Sequence, residues 1–282
     1  MASQLHTPEA RIWQLRGKQL PLGPCPRLMG VVNVTPDSFS DGAQFLDPAQ
    51  AVARALELVE AGADIIDVGA ESTRPGARPV TPQEELRRVV PVIREVCRQT
   101  AVPVSIDTSK AVVAQAALDH GVEIINDITG FEKDPDMIPL AARSKAAVCV
   151  MHMQGTPATM QHRPLYRDVV REVGEYLAKR RDVLLQAGIQ QRRICLDPGI
   201  GFGKTLEHNL DLLSHCARFR TLGCPLLIGH SRKGFIGQVL GDTRADRAAG
   251  TIGVALGLVS QGVDILRIHD VRPVREALQL FT

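Results

Sequence analysis

Gly62-Ala-Asp-Ile-Ile-Asp-Val-Gly69 joins a helix exit to a strand with a charge inside it. The residues before it, 49–61, carry the apolar spacing of a helix. Gly62 suits the position just past a helix end, where a left-handed backbone is needed, and Ile-Ile-Asp-Val then starts a strand. The same phrase returns as Gly121-Val-Glu-Ile-Ile125 and Gly262-Val-Asp-Ile-Leu266. One helix-to-strand connector used three times describes strands alternating with helices, which pair in parallel through βαβ units.

Working outward, eight short apolar runs each hold or meet a polar residue that packing alone would not select. They are residues 28–34 around Asn33, 65–68 around Asp67, 104–106 before Asp107, 124–127 ending in Asn126 and Asp127, and 147–152 ending in His152. The last three are 194–196 before Asp197, 226–231 with His230, Ser231 and then Lys233, and 265–269 holding Arg267 and His269. Eight strands at about 35 residues per unit predict an α/β fold, a (β/α)8 TIM barrel whose polar groups gather at one rim. Residues 1–27 precede the first strand. Rich in proline, with Trp13 and a Gly17-Lys18 turn, they are expected to cap the barrel bottom as a hairpin, leaving residues 28–282 as the barrel domain.

Helix starts are marked as well. Asp47-Pro48 supplies an N-cap and a first-turn proline, and Thr81-Pro82-Gln83-Glu84 has the form of a capping box. Further helices are expected over residues 110–120, 167–187, 206–220, 245–260 and 274–281. Two connections after strands, 35–47 (TPDSFSDGAQFLD) and 70–80 (AESTRPGARPV), are long and polar, as functional lids are.

Composition narrows the class. The chain has 282 residues, is 44% apolar but only 4% aromatic, and carries a net charge of +2 with both signs interspersed. Nothing there calls for nucleic acid or a membrane surface, and no apolar run approaches the length of a bilayer span. The first residues lack a signal-peptide pattern. Six cysteines without a CxxC pair read as structural thiols of a reducing, cytoplasmic compartment.

Sorted by chemistry, the strand ends split in two. Asp107, Asn126 and Asp197 offer acceptors suited to a flat heterocycle bearing amino and ring N–H groups, since a carboxylate takes two parallel hydrogen bonds from an amidine-like edge. Arg267, His269, Lys233, Ser231 and Asn33 are mainly donors on strands seven, eight and one, where barrels of this kind bind phosphate. Asn33 could bind the anion or a magnesium that it chelates. Arg267 and His269, two apart, share a strand face. Residues 199–205 (GIGFGKT) look like a P-loop but miss its spacing, because position 198 is proline. They read better as a loop passing close over a ligand, with Phe202 as an aromatic contact.

Taken together, the motifs resemble those of the dihydropteroate synthase family. Residues 30–42 (GVVNVTPDSFSDG) and 67–76 (DVGAESTRPG) are similar to its two signature stretches. SIDT (105–108), IND (125–127), MHMQ (151–154), DPGIGFGK (197–204), SRK (231–233) and RIHD (267–270) follow in order. The resemblance covers roughly residues 28–281. It implies a homodimeric barrel of folate biosynthesis that joins 4-aminobenzoate to 6-hydroxymethyl-7,8-dihydropterin diphosphate, uses Mg2+ and is inhibited by sulfonamides. It further implies that Asp107, Asn126, Asp197 and Lys233 hold the pterin, with Arg267 on its ring. Asn33, Arg267 and His269 would take the diphosphate, with Asn33 at the metal. Phe39, Thr73, Arg74, Pro75, Phe202, Ser231 and Lys233 would surround the aminobenzoate. Asp107, Asp197, Lys233, Arg267 and His269 are the catalytic candidates. Departures are small: Ala70 where glycine is commoner, His230 where an apolar residue is frequent, and Gly234 after Ser-Arg-Lys. Two rival readings are a methyltetrahydrofolate methyltransferase-like barrel and a non-catalytic pterin-binding paralogue. The synthase-like loops speak against the first, and the presence of Asn33, Thr73, Arg74, Lys233, Arg267 and His269 against the second.

Overall fold

A computed structural model describes residues 11–35, 47–72 and 79–281 of the chain. Strands β1 (Arg11–Gln14) and β2 (Gln19–Leu22) form an antiparallel hairpin. Eight parallel strands follow: β3 (Arg27–Asn33), β4 (Ile65–Gly69), β5 (Val104–Asp107), β6 (Ile124–Asp127), β7 (Ala147–Met151), β8 (Ile194–Asp197), β9 (Leu227–Gly229) and β10 (Ile265–Ile268). Their spatial order is β8-β7-β6-β5-β4-β3-β10-β9, and a parallel bridge from Leu196 to Leu226 brings β8 against the start of β9. This is the (β/α)8 barrel expected from the alternating pattern.

Two apolar clusters show which way each strand residue faces. Met29, Ile65, Ile124, Ala147, Cys149, Cys195, Leu227 and Ile265 plug the interior together with Trp13, Leu15, Leu20 and Leu22 of the hairpin segment. Their neighbours Leu28, Ile66, Ile106, Ile125, Val148, Leu196, Ile228 and Leu266 pack outward under the helices. Side chains alternate along a strand, so stepping two residues up from the plug gives the inward rim: Val31 and Asn33, Asp67, Asn126, Met151, Asp197, Gly229 and Ser231, Arg267 and His269. Asp107 lies level with Gly69 and Asn126 and joins them. The hairpin closes the opposite end. Trp13 is 0% exposed there, and its Nε1 donates to the Arg193 carbonyl at 3.1 Å.

The helices are α1 (Pro48–Glu60), α2 (Pro82–Gln99), α3 (Ala111–Asp119), α4 (Met137–Ser144), α5 (Val169–Gln186), α6 (Leu206–Ser214), α7 (Gly234–Val239), α8 (Ala248–Ser260) and α9 (Val271–Phe281). Asp47 caps α1 through the Ala49 N–H. Thr81 caps α2, accepting from Glu84 N at 3.2 Å, but the expected reciprocal bond is replaced: the Glu84 carboxylate goes to Arg87 and Arg88 on the next turn. The helix expected over 206–220 is broken after Ser214. Ser214 Oγ bonds the Leu210 carbonyl at 2.8 Å and His215 Nδ1 lies 2.8 Å from that of Asp211, a local competition that ends the α-helix. A 3-10 run, Cys216–Leu222, continues from there. Helices α4 and α7, of eight and six residues, are too short to show a period in sequence. No helix among the described residues is long and apolar enough to cross a membrane.

Candidate active site

The rim residues converge because they stand two or four residues above the plug level on their own strands. Arg267, from β10, crosses the barrel mouth: Nε donates to Asp67 Oδ2 at 2.6 Å and Nη2 to Asp107 Oδ2 at 2.7 Å. Asn126 Nδ2 also donates to Asp67 Oδ2, at 3.2 Å. Asp67 is fully buried, and its Oδ1 has no hydrogen-bond partner among the described residues. Burial works against the Arg267 charge, yet Asp67 and Asp107 hold its pKa above the ordinary value. Burial also lifts Asp107 above the usual carboxylate range, with Arg267 opposing the lift and Asp67 adding to it.

Around β8, burial raises the Asp197 pKa against the pull of Lys233. Its Oδ1 accepts the Gly199 N–H at 2.7 Å. The glycine is obligatory at that turn: φ is 68°, and a Cβ there would lie 1.9 Å from the His152 carbonyl oxygen. Lys233 donates to the Ile200 carbonyl and sets its ammonium 4.4 Å from the centre of the Phe202 ring. Burial pushes Lys233 down to about 7. Ser231 Oγ lies 3.1 Å from His269 Nδ1 and accepts from the His269 backbone N–H at 3.2 Å. Burial, aided by the Arg267 charge, lowers His269 to about 4, so the imidazole is neutral near pH 7.

The expected separation into an acceptor half and a cationic half is therefore not clean. Arg267 lies against the carboxylates of β4 and β5, and Lys233 beside the β8 loop, because unligated buried charges of opposite sign pair with each other. Asn33 ends β3 on the same inward rung series, beside Gly69. Phe39, Thr73, Arg74 and Pro75 lie outside the described residues. Asp67 was marked from sequence as the polar residue within its strand run but was not among the candidate site residues. Its place two residues beyond Ile65 would have marked it as inward-facing. The P-loop look-alike is a turn packed on the segment after β7, with Gly199 against His152 and Gly203 against Gln154. His230, the departure noted beside Ser231, is fully buried, with Nε2 placed 3.0 Å from the Thr251 carbonyl, and belongs to the packing behind the site.

A cavity of about 500 Å³ opens on the β5–β7 side. Asp107, Thr108, Ser109, Thr129, Lys133 and Met153 are among its walls. That volume suits a small organic ligand, and it reaches the site through Asp107.

A sequence profile described as pterin binding enzyme matches residues 29–269. The dihydropteroate synthase of Neisseria meningitidis serogroup C is 45% identical over 272 residues, 95% of each chain. Among solved structures, Xanthomonas albilineans dihydropteroate synthase with 4-aminobenzoic acid superposes with a TM-score of 0.90 at 43% identity, covering 96% of this chain and 97% of that one. Yersinia pestis dihydropteroate synthase in complex with a sulfonamide drug does so with a TM-score of 0.89 at 41% identity and the same coverage. With its barrel, its rim of buried carboxylates and this similarity along nearly its whole length, the chain belongs to the pterin-binding enzymes, in the dihydropteroate synthase family.

Proposed function

We propose that this protein condenses 6-hydroxymethyl-7,8-dihydropterin diphosphate with 4-aminobenzoate, forming 7,8-dihydropteroate and diphosphate. One observation carries the reading: Asp67, Asp107, Asp197 and Asn126 face into one barrel mouth together with Arg267 and Lys233. Such a set matches a heterocycle rich in N–H donors joined to a polyanion.

The arrangement accounts for the chemistry. The methylene C–O bond to diphosphate breaks, the C–N bond to the aminobenzoate amine forms, and the amine loses one proton to solvent. Electron density from the pterin ring supports the carbon as diphosphate departs, so positioning and electrostatics suffice. Asp107 and Asp197 stabilise the cationic ring. Arg267, released from its carboxylates by the incoming pterin, packs on the ring and with His269 and Asn33 meets the diphosphate. Phe202, Ser231 and Lys233 border the aminobenzoate, with Phe39, Thr73, Arg74 and Pro75 from the two long connections. Asn33, at the inward end of β3, would hold magnesium, an ion that keeps few protein ligands, through its amide oxygen together with substrate phosphates and water. When bound, the ion neutralises leaving-group charge. Sulfonamides, as mimics of 4-aminobenzoate, are the expected inhibitors.

Helix α8 carries no charged residue over Ala248–Ser260 and leaves Ala249, Gly253 and Gly257 exposed, which supports association as a homodimer through that face. Six free thiols support a cytoplasmic location. Residues 1–27 serve as the bottom cap and 28–282 as the catalytic barrel. Diphosphate release measured with each substrate alone and with both tests the activity. Release that requires 4-aminobenzoate supports it, and release without the amine would show hydrolysis instead.

A further inference from the structure

Lys204 is 3% exposed, an unusual setting for an ammonium. Its Nζ donates to the Phe202 carbonyl at 2.9 Å and lies 3.1 Å from His152 Nδ1. In its ammonium form Lys204 has donors and no lone pair, so Nδ1 then accepts and the imidazole carries its proton on Nε2. The His152 ring is itself fixed, edge-on to Tyr176 with centroids 4.9 Å apart. His152 N donates to the Asp197 carbonyl at 3.0 Å, and Tyr166 Oη donates to that of Gly203 at 2.9 Å. Lys204 thus ties the turn that begins at Asp197 and carries Phe202 to the segment following β7. Burial lowers its pKa to about 7, and the Asp197 carboxylate works to keep it charged. A methionine of similar length would fill the same space without the cost of a buried charge.

We infer that Lys204 is a positioning residue for the synthase site: through Phe202 and His152 it sets the turn that aims the Asp197 carboxylate and the Phe202 ring. The inference rests on the reading of Asp197 as a pterin-binding group.

The test is steady-state kinetics on purified Lys204→Met, His152→Asn, His152→Leu and the Lys204→Met/His152→Leu double variant, with thermal melts alongside. Misplacing a binding carboxylate by a fraction of an ångström should raise KM for the pterin diphosphate about tenfold in Lys204→Met, with kcat changed by less than about threefold. His152→Leu should behave like Lys204→Met. His152→Asn, whose amide oxygen replaces the Nδ1 acceptor, should recover most of the loss. The double variant should be no worse than Lys204→Met. An unchanged KM in a folded Lys204→Met overturns the inference. So do equal losses in His152→Asn and His152→Leu, which would mean that ring volume is all that matters, and this comparison stands even where Lys204→Met does not fold. A wild-type protein that needs no 4-aminobenzoate would instead overturn the proposed reaction.

Discussion

Arg267 and Asp107 stand 160 residues apart in the chain, yet the Arg267 guanidinium donates to Asp107 Oδ2 at 2.7 Å in the barrel mouth. Asp67 takes the other edge of the same guanidinium at 2.6 Å. The arginine is thereby stored in place before any ligand arrives, and its two carboxylate partners are kept from standing unpaired.

Removing one member should expose that dependence. Asp67→Ala leaves Arg267 and Asn126 without a shared acceptor, and loss of a partner from a buried pair costs about 3 kcal/mol. A lowered melting temperature, together with a weaker kcat/KM, is the expected result. A melt matching wild type would mean that water replaces the carboxylate freely.

Asp197 should matter for ligand, beyond the Gly199 N–H that its carboxylate accepts. Asp197→Ala removes a charged acceptor from a buried heterocycle site, worth about 3 kcal/mol or a hundredfold in Kd for the pterin diphosphate. Calorimetry reads this directly, and unchanged affinity would count against the assignment.

His230 makes acid stability testable. Burial lowers its pKa from 6.5 to about 4. Between those values the unfolded chain binds a proton that the folded chain refuses. The His230 contribution to stability is therefore complete above about pH 6.5 and is lost as pH falls toward 4. Melting temperatures followed from pH 7 to pH 4 should fall less steeply in His230→Gln than in wild type. Parallel curves would assign the acid sensitivity elsewhere.

Gly199→Ala should be among the most harmful small changes. It forces a left-handed backbone on alanine, at about 1–2 kcal/mol, and drives a methyl into the His152 carbonyl. Neither backbone can move without shifting Asp197 or β7. Low soluble yield or a large drop in melting temperature, with activity lost, is expected. An ordinary melt would show that the turn can be rebuilt.

At the far end of the barrel, Trp13→Ala should destabilise without touching the chemistry. Emptying a fully buried tryptophan site costs about 3–5 kcal/mol. Urea unfolding followed by circular dichroism measures it, and KM values at low temperature should hold. A matched change in KM would link the bottom cap to the rim.

The barrel and most of its rim were legible because strand alternation is a local rule. Once Ile65, Ile124 and Ile265 are placed inward, Asp67, Asn126 and Arg267 follow two residues later on the same face. Connector glycines and N-caps are equally local, which is why Gly62, Asp47 and Thr81 stand where the residue types suggest. Short helices such as Gly234–Val239 hold too few turns to show a period, and the break at Ser214 depends on hydroxyl and imidazole bonds that composition does not reveal.

By itself, then, the order of residues determined that strands and helices alternate, that polar groups ride above an apolar plug, and which motifs this chain shares with a family. Tertiary structure alone decided that Arg267 lies between Asp67 and Asp107, that Lys233 faces Phe202, and that Lys204 meets His152. Those choices arise only on closure of the barrel, when charges from distant strands enter one poorly solvated space and each must find its partner there.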